Sequence, residues 1–207
     1  MPLPRFVPVV LVAAVVLGSP LTATAQTKGR IGVGGSVTLN NTPDGDVGTA
    51  VTFGPLVRVN PRPGWHFAGA FNWYAADLRN PAGGDDPFAR FTIRPFMGGI
   101  GYTLGPPRTL VNFSVVTGPS FNKAKFEDEF REATGGAPSI EAKTSFAIRP
   151  GISFTQTLAT RVGLTGYAGY MFNRPQVIYR SATGQQVEDR WQADSIVLSV
   201  GLVYSIF

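Results

Sequence analysis

From Arg30 onward the chain alternates apolar with small or polar residues at a period of two, the signature of β-strands. The clearest stretch is 195–206, where Ile196, Leu198, Val200, Leu202, Tyr204 and Ile206 alternate with residues such as Ser195, Ser199, Gly201 and Ser205. Seven others precede it, at about 30–40, 50–60, 65–75, 91–103, 110–122, 145–155 and 161–172. Each is close to the roughly 9–11 residues a tilted strand needs to cross a bilayer. The connections alternate in length. Residues 61–64, 105–108 and 156–160 make short turns, the first two rich in proline and glycine, whereas 41–49, 78–90, 123–144 and 173–194 are long. Short turns at one end and long loops at the other are the asymmetry of an up-and-down barrel in a membrane.

One parity of each stretch is apolar. In chain order it is carried by residues such as Ile31 and Val37, Val51 and Phe53, Trp65 and Phe71, Phe91 with Ile93 and Met97, Phe113 and Phe121, Ile148 and Phe154, Leu164 and Phe172, and the terminal set above. Arg30, Arg58, Arg94, Arg149, Arg161 and His66 all fall on the opposite parity. A basic side chain facing lipid costs about 2–4 kcal/mol at mid-membrane, so the apolar parity should face out and the arginines in. The fourth stretch is apolar on both parities, with Phe96, Ile100 and Tyr102 then pointing inward. A soluble barrel with the apolar face inside has the same periodicity. Its surface would be the glycine, alanine and serine parity, in a chain only 15% charged, well below the roughly 25–35% a soluble surface carries. The expected fold is therefore all-β: an eight-stranded antiparallel transmembrane up-and-down β-barrel. Aromatics near the strand ends, Trp65, Phe113, Phe154 and Tyr204 on the turn side and Trp73, Phe91, Phe121, Phe146 and Phe172 on the loop side, should form two interfacial girdles. Pro55, Pro95, Pro119 and Pro150 fall inside strands, where each removes a ladder donor, and bulges or shortened strands are expected there.

The amino terminus reads as an export signal. A short basic start to Arg5, a continuous apolar run from Phe6 to Leu17 and Ala23-Thr24-Ala25 match a cleaved signal peptide over residues 1–25, with the barrel domain over 26–207. The expected location is the outer membrane of a Gram-negative-type cell. The chain has no cysteine, which excludes disulfides, thiolate metal sites and a cysteine nucleophile. The net charge of +5 is spread along the sequence without a basic block, so no nucleic-acid partner is expected.

These features resemble the small eight-stranded outer-membrane barrels of the OmpA, OmpX and OmpW type. The ending Gly201-Leu202-Val203-Tyr204-Ser205-Ile206-Phe207 is similar to their assembly signal, with one residue beyond the usual final aromatic. Arg94-Pro95-Phe96-Met97-Gly98-Gly99 resembles a glycine-rich strand common in such proteins, and Phe91-Thr92-Ile93-Arg94-Pro95 is echoed by Phe146-Ala147-Ile148-Arg149-Pro150. The resemblance implies a monomeric barrel inserted by barrel-assembly machinery and surrounded by outer-membrane lipid and lipopolysaccharide. It extends over structural proteins, adhesins, small-solute channels and lipid-modifying enzymes.

Candidate chemistry is sparse. The single histidine, His66, adjoins a short turn with inward parity and no neighbouring serine, which argues for a structural role over that of a general base. Arg58, Arg94, Arg149 and Arg161 would line the lumen with no inward acid from the strands, so they would form either an anion-favouring constriction or part of a side-chain plug. In the third long loop, Phe126, Glu127, Asp128, Glu129 and Phe130 sit in a segment, 125–133, patterned as a short helix. Its acids match no calcium loop. The stretches 176–180 and 185–191, ending at Trp191, flank Ser181 to Gly184 and read as a projecting hairpin. No catalytic residue, metal ligand or cofactor is expected. The leading function is a non-enzymatic barrel acting in envelope integrity or surface interaction through its loops, with a narrow solute channel second and a lipid-modifying enzyme third.

Overall fold

The computed structural model describes residues 31–42, 48–59, 63–78, 89–106, 108–128, 132, 138–181 and 183–206. The segment read as a signal peptide, Arg30, Glu129, Phe130, Phe207 and the side chain of Arg58 lie outside the described residues. The strands are β1 (Ile31–Asn41), β2 (Ala50–Val59), β3 (Gly64–Phe71), β4 (Tyr74–Leu78), β5 (Ala89–Leu104) and β6 (Thr109–Phe126). They continue with β7 (Ser139–Ala142), β8 (Ser145–Thr157), β9 (Val162–Asn173), β10 (Gln176–Arg180), β11 (Gln186–Arg190) and β12 (Ser195–Ser205).

Nine of these make one antiparallel sheet in the order β2-β1-β12-β9-β8-β6-β5-β3, with β4 also on β5. β3 and β4 keep one register against β5, from Gly64 opposite Thr103 to Leu78 opposite Ala89, and so act as a single stave. The wall thus has the expected eight staves. The last strand pairs with the first, Gly32 opposite Ser205 through Asn41 opposite Ile196, and the Ile206 N–H donates to the Ile31 carbonyl (2.9 Å). An apolar terminal strand left unpaired would expose a sticky edge, and this pairing removes it. The sheet curls until Tyr74 Oη lies 3.4 Å from Ser195 Oγ across the interior. Among the described residues β2 and β3 share no ladder. Their loop ends are joined instead by the Gly48 N–H donating to the Asp77 carbonyl (3.1 Å). Phe53 and Phe67, on the two strands flanking this seam, are accordingly the most exposed aromatics at 81% and 93%. At the turn end Gly64 (φ +114°) and Gly105 (φ +109°) hold left-handed conformations that suit glycine.

The in-strand prolines behave differently from the expected bulges. β2 stays paired with β1 through Pro55, and β6 stays paired with β8 through both Pro119 and Pro150. Opposite Pro95 the stave breaks at Asn72 and Trp73, and β5 loses its pairing with β6 at Phe96 and Met97. β8 loses its pairing with β9 at Arg149 and Pro150. In each case the register resumes unchanged. The missing donor therefore opens a local gap without inserting a residue.

Seven of the eight staves present the expected apolar face outward, with Val37, Phe71, Phe113, Phe146, Phe172 and Leu202 among the exposed residues. β5 is inverted. Phe91, Ile93 and Met97 are buried inside, and Phe96, Ile100 and Tyr102 face out. Cross-strand partners share a face, and the outward Trp65 and Phe71 pair with Tyr102 and Phe96. Phe91 therefore leaves the loop-side girdle, and Phe96 and Tyr102 join the outer wall. A shallow apolar groove of about 610 Å³ bounded by Trp65, Ile100, Tyr102, Phe113 and Ile152 belongs to this outer wall, not to the interior.

Candidate functional site

The interior divides into two halves. The loop-side half is filled by inward side chains of the wall: Tyr74, Phe91, Ile93, Met97, Met171 and Val197, all nearly or fully buried in one apolar cluster. The turn-side half is lined by short residues, including Gly32, Gly34, Gly163, Gly201 and Ser205. His66 sits there. Asn112 Nδ2 lies 2.9 Å from its Nε2, and Thr103 Oγ1 lies 3.4 Å from its Nδ1. Gly101 makes room for the ring, since a Cβ at that position would lie 2.7 Å from Nε2. These partners seat the histidine as part of the wall, with no serine bonded to it.

Over the loop-side half stands a second sheet, in the order β11-β10-β7. The β10–β11 hairpin turns at Gly184 (φ +82°), where the sequence placed it. β7, which the sequence did not signal, comes from the preceding loop and pairs with β10, and Glu141 bridges Arg180 at 3.7 Å. The underside of this crown, Ile140, Ala142 and Val177, joins the apolar cluster of the barrel. Trp191 stacks edge-on against Phe91 (5.5 Å) and tilts against Tyr179 (5.9 Å), so it acts as a lid on the plug. β11 is exposed at every residue.

The expected helix at 125–133 is shortened at its start, where the strand continues. β6 runs on to Phe126, whose side chain is buried in the plug, and helical conformation is described at Asp128 and Glu132. Asp128 pairs with Lys125 (3.4 Å). Thus Phe126 covers the barrel mouth, while the described ion pairs of the loop acids are with Lys125 and Arg180, not with an interior arginine.

The expected ring of luminal arginines is corrected at two positions. Arg94 follows β5 outward, opposite Phe121, and stacks on the exposed Trp73 with its guanidinium carbon 5.8 Å from the ring centroid. Arg161 lies in the turn before β9, and its Nη1 reaches the outward Tyr204 hydroxyl at 3.4 Å. Arg58 stands opposite Gly32 in β2. Arg149 is inside, only 6% exposed.

Two polar features carry no signal in the sequence, since one joins residues of three strands and the other depends on the inverted face of β5. Ser120, Asn122, Ser145 and Asn173 form a closed hydrogen-bonded ring at the loop ends of β6, β8 and β9. The buried carboxylate of Asp194 continues it, accepting from the Asn173 backbone N–H (2.8 Å) and pairing with Arg174 (3.4 Å). On the outer wall, the inversion of β5 sets Arg90 opposite Lys125 and Thr92 opposite Lys123, one step above Arg94 and Phe121. Four cations thus border the aromatic belt, with Asp77 lying 4.0 Å from Arg90. Among the described residues no cluster of three histidines or carboxylates is arranged to hold a metal ion.

An antiparallel wall of eight staves, curled on itself, apolar outside and plugged within, defines the class: this is the fold of the small eight-stranded outer-membrane β-barrels. No protein-family model and no curated protein matches the sequence. Among solved structures the chain is similar to the outer membrane protein OprG from Pseudomonas aeruginosa, with a TM-score of 0.66 at 12% identity over 87% of this chain and 97% of that one. Neisserial surface protein A (TM-score 0.45, 16% identity, 85% of this chain and 96% of that one) is a more distant neighbour. So is Ail, the attachment invasion locus protein of Yersinia pestis (0.45, 12%, 84% and 95%). The likeness to OprG carries the fold, and at 12% identity it carries nothing about ligands.

Proposed function

We propose that this protein is a non-enzymatic, monomeric outer-membrane barrel that acts through its external crown in surface interaction or envelope integrity. The observation that supports this most is the closed mouth. The wall's own residues fill the loop-side half, and β7, β10, β11 and Trp191 roof it, so the exposed face available to a partner is the crown. Loops and short strands on a rigid barrel are where binding concentrates. The cation strip of Arg90, Arg94, Lys123 and Lys125 suits the phosphates of lipopolysaccharide, since charge at the membrane interface costs little while at mid-bilayer it costs about 2–4 kcal/mol. The terminal strand serves as the address for barrel-assembly machinery through Gly201, Tyr204, Ile206 and Phe207. Truncation before Tyr204 leaves the end of β1 unpaired and should abolish heat-modifiable migration of the membrane fraction.

The refolded full chain in a planar lipid bilayer tests the reading. It should be electrically silent, and replacing residues 176–190 with a short turn should remove partner binding while leaving the barrel folded. Steady openings of the intact protein would instead favour a narrow solute channel. That second reading draws on the short, polar lining of the turn-side half.

A further inference from the structure

We propose that the barrel interior holds a small-anion site centred on Arg149, at the base of the apolar plug, which takes one halide or carboxylate-sized monoanion. This goes beyond the surface reading and does not depend on it.

Arg149 points inward from β8 at a level where its neighbours are apolar. Val116 stands opposite it across the ladder, and Ala147 precedes it on the same face. Its guanidinium carbon lies 5.0 Å from the centroid of the Tyr167 ring. With the Asn72 amide oriented to satisfy both its atoms, Asn72 Oδ1 accepts from Arg149 Nη1 at 3.1 Å. Arg149 Nε is buried with no acceptor. The Tyr167 hydroxyl is also buried without a partner, in a space kept clear by Gly151 and Gly169, where a Cβ would collide with it.

The charge balance is incomplete. Desolvating a cation costs more than one buried cation–π contact returns. A carboxylate would close the difference, yet among the described residues none pairs with Arg149. Asp194 is committed to Asn173 and Arg174, Glu141 to Arg180 and Asp77 to Arg90. Hydroxyl donors stand close by. The Tyr167 ring meets the guanidinium and its hydroxyl is unpartnered, and the buried Tyr74 hydroxyl meets Ser195 at 3.4 Å. A single cation with an unused N–H, flanked by phenol donors in a packed interior, selects a small monoanion over a polyanion.

Chloride NMR line broadening on the refolded full chain in micelles is the test, with sodium chloride as probe and sodium formate as competitor. Saturable excess broadening, displaced by formate, is expected. Arg149→Met should weaken it at least about tenfold, the loss of one charge-assisted contact, whereas Arg161→Gln in the exposed turn should leave it unchanged. Tyr167→Phe should weaken it severalfold with native heat-modifiable migration, and it carries the test if Arg149→Met does not fold. Absence of saturable broadening overturns the proposal. So does broadening that formate cannot displace, or affinity unchanged in the folded variants.

Discussion

The two halves of the barrel interior are built from the same strands but solve different problems. Toward the loops, Phe91, Ile93, Met97, Met171 and Val197 pack against one another and leave the lumen dry. Below them and on toward the turns, glycine, serine and threonine follow the same wall, and the polar groups bond in pairs such as Thr38 Oγ1 donating to Ser199 Oγ (3.0 Å). An eight-stranded barrel is just wide enough for its own side chains to fill it. The contrast shows that filling need not be uniform: large side chains at one level seal the barrel, and the remaining level is left with short polar ones. The seal begins in the wall and is completed by the crown, whose Ile140, Ala142 and Val177 join the same cluster beneath Trp191.

Substitutions on either side of the boundary should separate the two halves by cost. Phe91→Ala removes a fully buried ring and should destabilise the barrel by about 3–5 kcal/mol in urea unfolding followed by tryptophan fluorescence. Asn173→Ala breaks the ring that ties the loop ends of the wall and strands its partners, with an expected cost of about 1–3 kcal/mol in the same assay. Trp191→Ala loses two aromatic contacts worth roughly 0.5–1.5 kcal/mol each beyond area burial. Its sharper readout is conductance, which should appear or rise once the lid is gone. Ser199→Ala, on the polar wall below the apolar plug, should cost only about 0.5–1.5 kcal/mol, the worth of one hydrogen bond, and should leave conductance untouched. Equal losses for Phe91→Ala and Ser199→Ala would erase the distinction between the halves.

Most of the wall was legible in the alternation of the chain, because a strand with one apolar and one small or polar face can be oriented without its neighbours. β5 was not, because both of its parities are apolar and periodicity then carries no information. The signal that could have fixed it lay across the turn at Gly105. Thr103 pairs with Asn112 on the inner face, which forces Tyr102 outward and Phe91 inward. The same inversion moved Arg94 out of the lumen and created the outer cation strip. β7 was invisible because four residues in one loop acquire their strand only by pairing with β10 from another. Phe126 was recognised as needing cover, but the strand that delivers it was read as helix, since acids and paired phenylalanines look the same in either setting. Arg149 was placed inside correctly by parity. Its neighbour Tyr167 comes from the next strand, but Asn72 lies far away in sequence between β3 and β4, so its surroundings were not readable.

The gaps at Pro95 and Pro150 have a geometric consequence. A bulge is a dislocation: beyond it every side chain changes phase with its neighbour, and inner and outer faces must be sorted again. A gap that resumes in the same register is closer to a hinge pin. The ladders β5–β6 and β8–β9 are each released for two residues and then continue in step. The wall can bend at those gaps, and nothing that faces the membrane has to turn inward when it does.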